Sequence, residues 1–342
     1  MAVYAYIGRG ASGLAIYDVT DPAAPVAKGT LAGLGTVTCT QIKGNYCYVG
    51  TSTDGIRVVN ISNKLSPVLA TSITAQTNIT WLKIVNNTLY YVSGGVLYIY
   101  DVTNPASPTL LSSYSATAIG TRFAVLNGYL YTQSGGYLRK ISVSNPLDVS
   151  LTASLALPLP VTGSSTSIDT RAVNGSVFVV YSEAQLTYQS VGVAFVNPAT
   201  LTISRSAGHN KEVAGSAFYS YQCGGIAAND SLAVVTIKKY AGLVSNPSTS
   251  SLISTFTDLD TSTTTYTASV TALTDTDGGG YSNTVYTITA TGFDAVDVTT
   301  PASAAVLSST SLSGITSIDV SALADTTPPV VTAFTISNYV LT

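Results

Sequence analysis

Charged side chains are scarce in this chain. Asp, Glu, Lys and Arg make up 9% of its 342 residues, against about 25% in an average soluble protein. The formal net charge is −3 and no basic cluster occurs, so the electrostatic footprint of a nucleic-acid-binding protein is missing. We therefore expect no nucleic-acid partner. A surface this poor in charge is more typical of extracellular and virion proteins than of cytosolic enzymes.

Long apolar runs are also missing. Hydrophobic residues reach 46%, yet no stretch approaches the roughly 18 apolar residues of a membrane helix. We expect no membrane insertion. The chain opens on strand-like residues 3–7 without the basic and apolar segments of a signal peptide, so either a leader was removed or none existed.

The residues that most enzymes depend on are few. Histidine occurs once, at His209 in a segment expected to be an exposed loop, and glutamate occurs only at Glu183 and Glu212. A histidine-based zinc site needs a second histidine, and nucleophile-elbow and phosphate-loop motifs are absent. We expect no enzyme activity. The least favoured alternative is a polysaccharide hydrolase or lyase that uses a pair of aspartates.

Cysteine occurs at three positions, Cys39, Cys47 and Cys223, with no C-x-x-C pair. A tight turn at residues 44–45 places Ile42, rather than Cys39, opposite Cys47 in a hairpin. We therefore expect buried free thiols instead of a disulfide or a redox motif.

A proline motif repeats along the chain. It reads DVTDPAAP at 18–25, NISNKLSP at 60–67 and DVTNPASP at 101–108, and its first half returns as SVSNP at 142–146 and DVTTP at 297–301. The first four copies start 42, 41 and 41 residues apart, and the gap of 155 residues to the fifth fits three longer steps, so two longer, degenerate repeats lie between them. The Asp or Asn side chain can hydrogen-bond to the backbone that follows it, and Pro, which has no backbone N–H, ends strand pairing. We therefore expect the motif to have a structural role at the end of a strand.

Each repeat contains four predicted strands. Gly-led alternating runs precede the motif, a short strand follows it, and two upstream strands are joined by tight turns such as 44–45, 86–87 and 127–128. Four antiparallel strands at this period are typical of propeller blades. The sequence predicts an all-β, seven-bladed β-propeller over residues 1–325, in which a C-terminal strand at 315–320 completes blade 1 and closes the ring.

The pattern G-L-x-I-x-D-V-T-D-P-x-x-P, beginning at Gly13, resembles the LVIVD-repeat family of β-propellers. Blades 1 to 4 and 7 carry it, while blades 5 and 6 depart through insertions near 181–190, 205–221 and 238–252. The resemblance implies a propeller fold, commonly on exported or cell-surface microbial proteins, and implies no catalytic residue. The segment 326–342 falls outside the repeat; it resembles the start of an immunoglobulin-like domain, and a strand donated to a partner or a disordered tail are the alternatives.

Polar residues recur on the innermost strands. Alignment on the turns places Gln41, Lys83 and Arg171 at one equivalent position, with Arg122 and Asp169 two residues earlier on the same face. These five residues are the candidate channel-lining contacts for an anionic or sugar-like ligand. A channel wall that contacts water and contains ion pairs among its own side chains explains the same pattern, and we favour this interpretation.

Asp275 and Asp277 precede three glycines and are the one candidate metal site, for calcium. No glutamate follows to complete an EF-type loop, so we favour a flexible acidic turn and expect no cofactor.

The hypothesis for function is a non-enzymatic structural or interaction propeller, extracellular on a virion or a microbial surface assembly. It would bind other protein subunits, including copies of itself. A cell-surface propeller that binds glycan or peptide through the channel mouth is the second hypothesis.

Overall fold

The protein is described from a computed structural model that covers residues 2–115, 119–134, 136–157, 165–173, 176–184, 188–212, 223–228, 232–237, 240–245, 256–258, 270–273, 284–288, 291–297 and 305–322. Within these residues the secondary structure is 28 strands and one 3-10 helix at Gly10–Ser12. No helix in this part of the chain is long and apolar enough to cross a membrane.

The first half of the chain forms sheets by consecutive antiparallel pairing. The strands are β1 (Val3–Gly8), β2 (Leu14–Asp18), β3 (Val26–Leu31), β4 (Val37–Lys43), β5 (Tyr46–Thr51), β6 (Ile56–Asn60), β7 (Val68–Ile73), β8 (Leu82–Val85), β9 (Thr88–Ser93), β10 (Val96–Asp101), β11 (Thr109–Tyr114), β12 (Phe123–Leu126), β13 (Tyr129–Ser134), β14 (Tyr137–Ser142) and β15 (Ser150–Ala156). Strands β4–β7, β8–β11 and β12–β15 are sheets 2, 3 and 4.

The second half repeats the arrangement. Its strands are β16 (Ser165–Val173), β17 (Ser176–Ala184), β18 (Tyr188–Asn197), β19 (Thr202–Glu212), β20 (Cys223–Ala228), β21 (Leu232–Ile237), β22 (Tyr240–Ser245), β23 (Phe256–Asp258), β24 (Val270–Leu273), β25 (Thr284–Ile288), β26 (Gly292–Asp297), β27 (Ala305–Ser311) and β28 (Ser317–Ala322). Strands β16–β19, β20–β23 and β24–β27 are sheets 5, 6 and 7. The expected all-β chain of four-stranded antiparallel sheets is confirmed.

Sheet 1 combines the two ends of the chain. Its strand order is β28-β1-β2-β3, and β28 pairs antiparallel with β1 so that Tyr6 faces Asp319 and Ala5 faces Val320. The predicted closing strand at 315–320 therefore lies two residues further along the chain. The rest of the chain after Ala322, including the predicted boundary at 325 and the tail 326–342, lies outside the described residues.

Local sequence chemistry accounts for the turns. Gly44, Asn86 and Asn127 have φ of +52°, +53° and +50°, as two-residue hairpin turns of type I′ require. In the proline motif, the Asp101 carboxylate accepts the N–H of Thr103 at 2.8 Å, and the Asn104 side chain accepts the N–H of Ala106 at 3.1 Å. Both bonds recur in the copies at 18–25 and 60–67, so the predicted structural role of the motif is confirmed.

The core lies between sheets rather than under one sheet. Along β1, Val3, Ala5 and Ile7 pack against sheet 7, whereas Tyr6 packs against sheet 2. Similar clusters join sheet 2 to 3, sheet 3 to 4 and sheet 4 to 5. Sheets 1 to 4 are thus each buried on both faces by their neighbours, and the period-2 pattern of their strands supplies side chains to two interfaces.

A tyrosine of the second strand recurs at these interfaces. In each case it is buried against the following sheet; the residues are Tyr6, Tyr48, Tyr90, Tyr131 and Tyr286. The hydroxyl of Tyr131 donates to Pro198 O and that of Tyr286 to Val19 O, both at 3.4 Å, so each reaches the proline motif of the next sheet. Tyrosine therefore fills the core at these positions.

Sheet 5 corrects one expectation. The segment around His209 was expected to be an exposed loop, but His209 lies in β19 opposite Val191 of β18. Of the insertions near 181–190 and 205–221, residues 181–184, 188–190 and 205–212 lengthen the strand pairs of this sheet, because added residues in register extend a strand pair without breaking its ladder. The rest of these insertions lies outside the described residues.

Two glycines with the same backbone angle allow a matched test of close packing. Gly55 and Gly33 both have φ of +74°, but a Cβ on Gly55 would lie 2.1 Å from Ile73 O, whereas a Cβ on Gly33 would meet nothing within 4 Å. We expect Gly33→Ala to cost about 1–2 kcal/mol of unfolding free energy through backbone strain alone, and Gly55→Ala about 2–3 kcal/mol more through the clash. Urea unfolding measures both variants. Equal losses would contradict the packing at Gly55.

Candidate functional site

A cavity of about 80 Å³ opens where the innermost strands of sheets 1, 2 and 3 begin. Segments 38–41, 80–83 and 316–319 line it together with Arg122. Three of the five predicted channel-lining residues, Gln41, Lys83 and Arg122, therefore share one cavity. Their role as ligand contacts stays a prediction.

The wall between sheets 1 and 2 is fixed by side chains of β4 and β28. Asp319 Oδ2 accepts the backbone N–H of Ile42 at 2.7 Å, and the Thr40 and Ser317 hydroxyl oxygens lie 3.1 Å apart. The Thr316 hydroxyl donates to Val37 O at 2.9 Å. These bonds join the C-terminal strand to the first strand of sheet 2 and hold the Asp319 carboxylate at the cavity.

A bulge shapes the wall between sheets 2 and 3. The pairing of β4 with β5 shifts register between Val37 and Cys39, which leaves Thr38 as the extra residue. The Thr38 hydroxyl donates to Ile79 O and lies 3.0 Å from Gly50 O. A bulge redirects side chains next to it, and here the following residues, Cys39 to Gln41, line the cavity.

Trp81 holds the Arg122 side chain. The guanidinium carbon lies 4.6 Å from the Trp81 ring centroid, and the indole N–H donates to Phe123 O at 3.0 Å. Such a cation–π contact contributes about 0.5–1 kcal/mol at a partly exposed site. Because the ring is itself anchored, the positive charge of Arg122 has a defined position.

Strand pairing shows which residues occupy the same position along the innermost strand of each sheet, and we call this position one level. Gln41, Lys83 and Arg171 pair with Tyr48, Tyr90 and Phe178 at equivalent places, as the turn alignment predicts. The same level carries Asp319 in sheet 1 and alanine in sheets 4, 6 and 7, at Ala124, Ala227 and Ala272. Asp169 lies two residues before Arg171 in β16, and the side chains of both lie outside the described residues.

The buried thiols are not reactive groups. Cys39 is 5% exposed, and burial raises the pKa of its thiol to about 11, against a smaller opposing effect of the Arg122 charge. Burial also raises the pKa of the Cys47 thiol. Cys39 and Cys47 are free and Ile42 faces Cys47, as predicted. The thiolate, which is the nucleophilic form, is therefore suppressed at neutral pH; the Cys223 side chain lies outside the described residues.

Sequence reasoning missed Trp81 and Asp319. Trp81 lies five residues before the turn at Asn86, the same offset that separates Arg122 from Asn127, so the alignment already contained its signal. Asp319 pairs with Tyr6 of β1, a strand more than three hundred residues earlier in the sequence, rather than with a strand across a short turn. An alignment on turns could not place it.

No cluster of three or more His, Cys, Asp or Glu side chains suited to a metal is found in the described part of the chain. The calcium candidates Asp275 and Asp277 lie outside that part.

The model of the LVIVD repeat matches residues 3–32, 35–75 and 84–116. These three segments are LVIVD repeats. They cover β1–β3 of sheet 1, β4–β7 of sheet 2 and most of β8–β11 of sheet 3, and the family resemblance drawn from the proline motif is confirmed. No curated protein matches the chain.

Solved structures share the fold at low identity. Apo AztD from Citrobacter koseri has a TM-score of 0.58 at 10% identity, over 94% of this chain and 98% of its own. The Pan2 WD40 domain from Neurospora crassa has a TM-score of 0.56 at 10% identity, and the match covers 82% of this chain and 80% of that domain. Kluyveromyces lactis Hsv2 has a TM-score of 0.56 at 11% identity, and the match covers 84% of this chain and 87% of Hsv2. WD40 domains are β-propellers. The LVIVD repeats of this chain thus belong to a β-propeller fold, and identities this low show the fold alone.

The Asp319 bond offers a test of how the propeller fixes its cavity. Asp319→Ala removes a charged acceptor from the Ile42 N–H and is expected to cost about 1.5–3 kcal/mol of unfolding free energy. Asp319→Asn keeps an acceptor oxygen and should cost clearly less. Thermal unfolding of the two variants measures the difference. Equal stability of Asp319→Ala and the wild type would contradict the bond.

Proposed function

We propose that this chain is a non-enzymatic structural propeller on a virion or a microbial surface assembly, where it binds other protein subunits, including copies of itself. In this proposal its seven sheets are the blades of one closed ring. The charge-poor composition supports an extracellular location. The propeller fold with repeats supports a role in binding or protein interaction.

Contacts among the inner strands support the closed ring. In the described residues, β28 contacts β4, and contacts continue through β8, β12, β16, β20 and β24 back to β28. The outer contacts repeat in the same way: the Ser112 hydroxyl of sheet 3 donates to Pro146 O of sheet 4, and the Ser308 hydroxyl of sheet 7 donates to Pro22 O of sheet 1. Sheet 1 therefore contacts sheet 7 in the same way that sheet 4 contacts sheet 3.

A band of exposed aliphatic side chains carries the proposal of protein contacts. These residues lie where the outer strand of a sheet begins or in the proline motif just before it, and we call them the apolar rim: Val26, Leu65, Val68, Leu69, Leu110, Leu111, Leu147, Leu151, Val306 and Leu307. Leu65 and Leu147 are 70% and 77% exposed. A single exposed leucine needs no explanation, but apolar side chains repeated at one position in sheets 1, 2, 3, 4 and 7 are typical of an interaction surface.

The outer strands are poorly suited to adding a partner strand. The register between third and fourth strands shifts in sheets 1, 2, 3, 4, 5 and 7. Such bulges protect an edge from pairing with another chain. The rim therefore favours contacts through side chains rather than through backbone ladders.

A cell-surface propeller that binds a ligand is the second candidate function. The observation in its favour is the polar cavity at Gln41, Lys83 and Arg122, because ligand sites are concave and contain a few convergent polar groups.

Removal of apolar rim surface tests the proposed function. We expect purified particles or surface fractions of the host to contain the protein, and the double variant Leu65→Asp with Leu147→Asp to be lost from them. Its unfolding midpoint should change little, because both side chains are largely solvated in the free chain. Quantitative mass spectrometry of particles measures incorporation.

Ala11→Asp is the matched control. Ala11 is exposed near the opposite ends of the strands, between β1 and β2, so this variant adds a negative charge away from the rim and should be incorporated normally. Absence of the wild-type protein from particles and surface fractions, or normal incorporation of the double variant, would overturn the proposal.

A further inference from the structure

We propose that the cavity between sheets 1, 2 and 3 binds the carboxylate and an adjacent hydroxyl of an acidic sugar. The site is independent of the apolar rim. The cavity lies where the inner strands begin, whereas the rim lies at the ends that carry the proline motifs, because successive strands of each sheet are antiparallel.

Charge in the cavity favours a single negative charge on the ligand. Lys83 and Arg122 are the two cations of the lining, and Asp319 is its one anion. An arginine fork binds a carboxylate through two parallel hydrogen bonds, and a lysine adds a point charge. Asp319 opposes a dianion such as phosphate, since like charges in one small site repel.

These charged groups are positioned before any ligand binds. Arg122 lies over the Trp81 ring, and Asp319 accepts the Ile42 N–H. Lys83, Arg122 and Asp319 also interact with other groups of the chain. A ligand would join an ordered network, which lowers the entropy lost on binding.

Uncharged polar groups complete the site. The Gln41 amide and the Thr80 hydroxyl face the same cavity and make no hydrogen bond within the described part of the chain. A side-chain amide has an NH₂ group that donates and an oxygen that accepts, and a hydroxyl group both donates and accepts a hydrogen bond. The Gln41 amide, the Thr80 hydroxyl and the Asp319 carboxylate, which is an acceptor, suit a ligand that has a hydroxyl group close to its own carboxylate.

The size of the cavity limits what enters it. A volume of about 80 Å³ holds several water-sized groups, since one water needs roughly 10–15 Å³ of such space. A carboxylate fits together with the ring carbon that bears it and the hydroxyl on the next ring carbon, and the remainder of a sugar ring would extend into solvent. This arrangement suits the end residue of an acidic glycan.

Trp81 provides the readout, because it is the only tryptophan of the chain and lines the cavity. We expect glucuronate to change Trp81 fluorescence with saturation, and glucose, which lacks the carboxylate, to leave it unchanged. Lys83→Met should weaken glucuronate binding by about tenfold or more, the usual effect of losing one charge-assisted hydrogen bond. The binding should also weaken with added salt.

Lys43→Met is the matched control. Lys43 lies at the hairpin end of β4, where its ammonium donates to Asn86 O at 2.7 Å, outside the cavity lining. This variant should bind glucuronate like the wild type. Near-ultraviolet circular dichroism of both variants establishes that each is folded.

Three outcomes would overturn the proposal. The first is unchanged Trp81 fluorescence with glucuronate, and the second is equal binding by the wild type and a folded Lys83→Met variant. The third is equal binding of glucuronate and of a blocked aspartyl peptide, which carries a carboxylate without the neighbouring hydroxyl. That result would assign the cavity to acidic protein segments instead of acidic sugars.

Discussion

Sheets 1 to 4 of this protein each have two apolar faces, and neither face can be buried within its own sheet. Tyr6 and Ile7 are adjacent in β1, yet they pack against sheets 2 and 7 respectively. The same division recurs in the other interface clusters. A lone sheet would expose one set of these side chains, so the stable state requires neighbours on both sides. Pairing of β28 with β1 builds sheet 1 from two distant parts of the sequence, and sheet 1 packs against sheet 7 on one face and sheet 2 on the other.

Function follows from what this packing leaves at the two edges of each sheet. Inner strands converge, so polar side chains at equivalent positions, such as Gln41 and Lys83, meet around one cavity although a whole repeat separates them in sequence. Outer strands diverge, so the aliphatic side chains at their starts form a band around the perimeter. The convergent surface suits a small polar ligand, whereas the divergent surface suits extended contact with other subunits. Substitutions at Lys83 and at Leu65 therefore test the two proposals separately.

The sequence predicts most of the fold because the decisive interactions are local. The Asp101 bond to Thr103 spans two residues, and the positive φ of Asn86 is a property of its own turn. Long-range features escape such reasoning. Asp319 reaches the cavity only through pairing with a strand more than three hundred residues earlier, and His209 was misplaced in a loop because an extended hairpin has no local marker. At the site, turn alignment found Gln41 and Lys83 but not the aromatic ring that orients Arg122.

Cross-linking of the two chain ends is the most direct test of a ring closed by β28. Ala5 and Val320 lie opposite each other and pack in one cluster, so Ala5→Cys with Val320→Cys should form a disulfide on mild oxidation, which peptide mapping by mass spectrometry would identify. Tyr4→Cys with Val320→Cys is the control, because one residue of offset points the first side chain to the opposite face. We predict a disulfide in the first variant alone. Equal cross-linking in both variants, or none in the first, would contradict it.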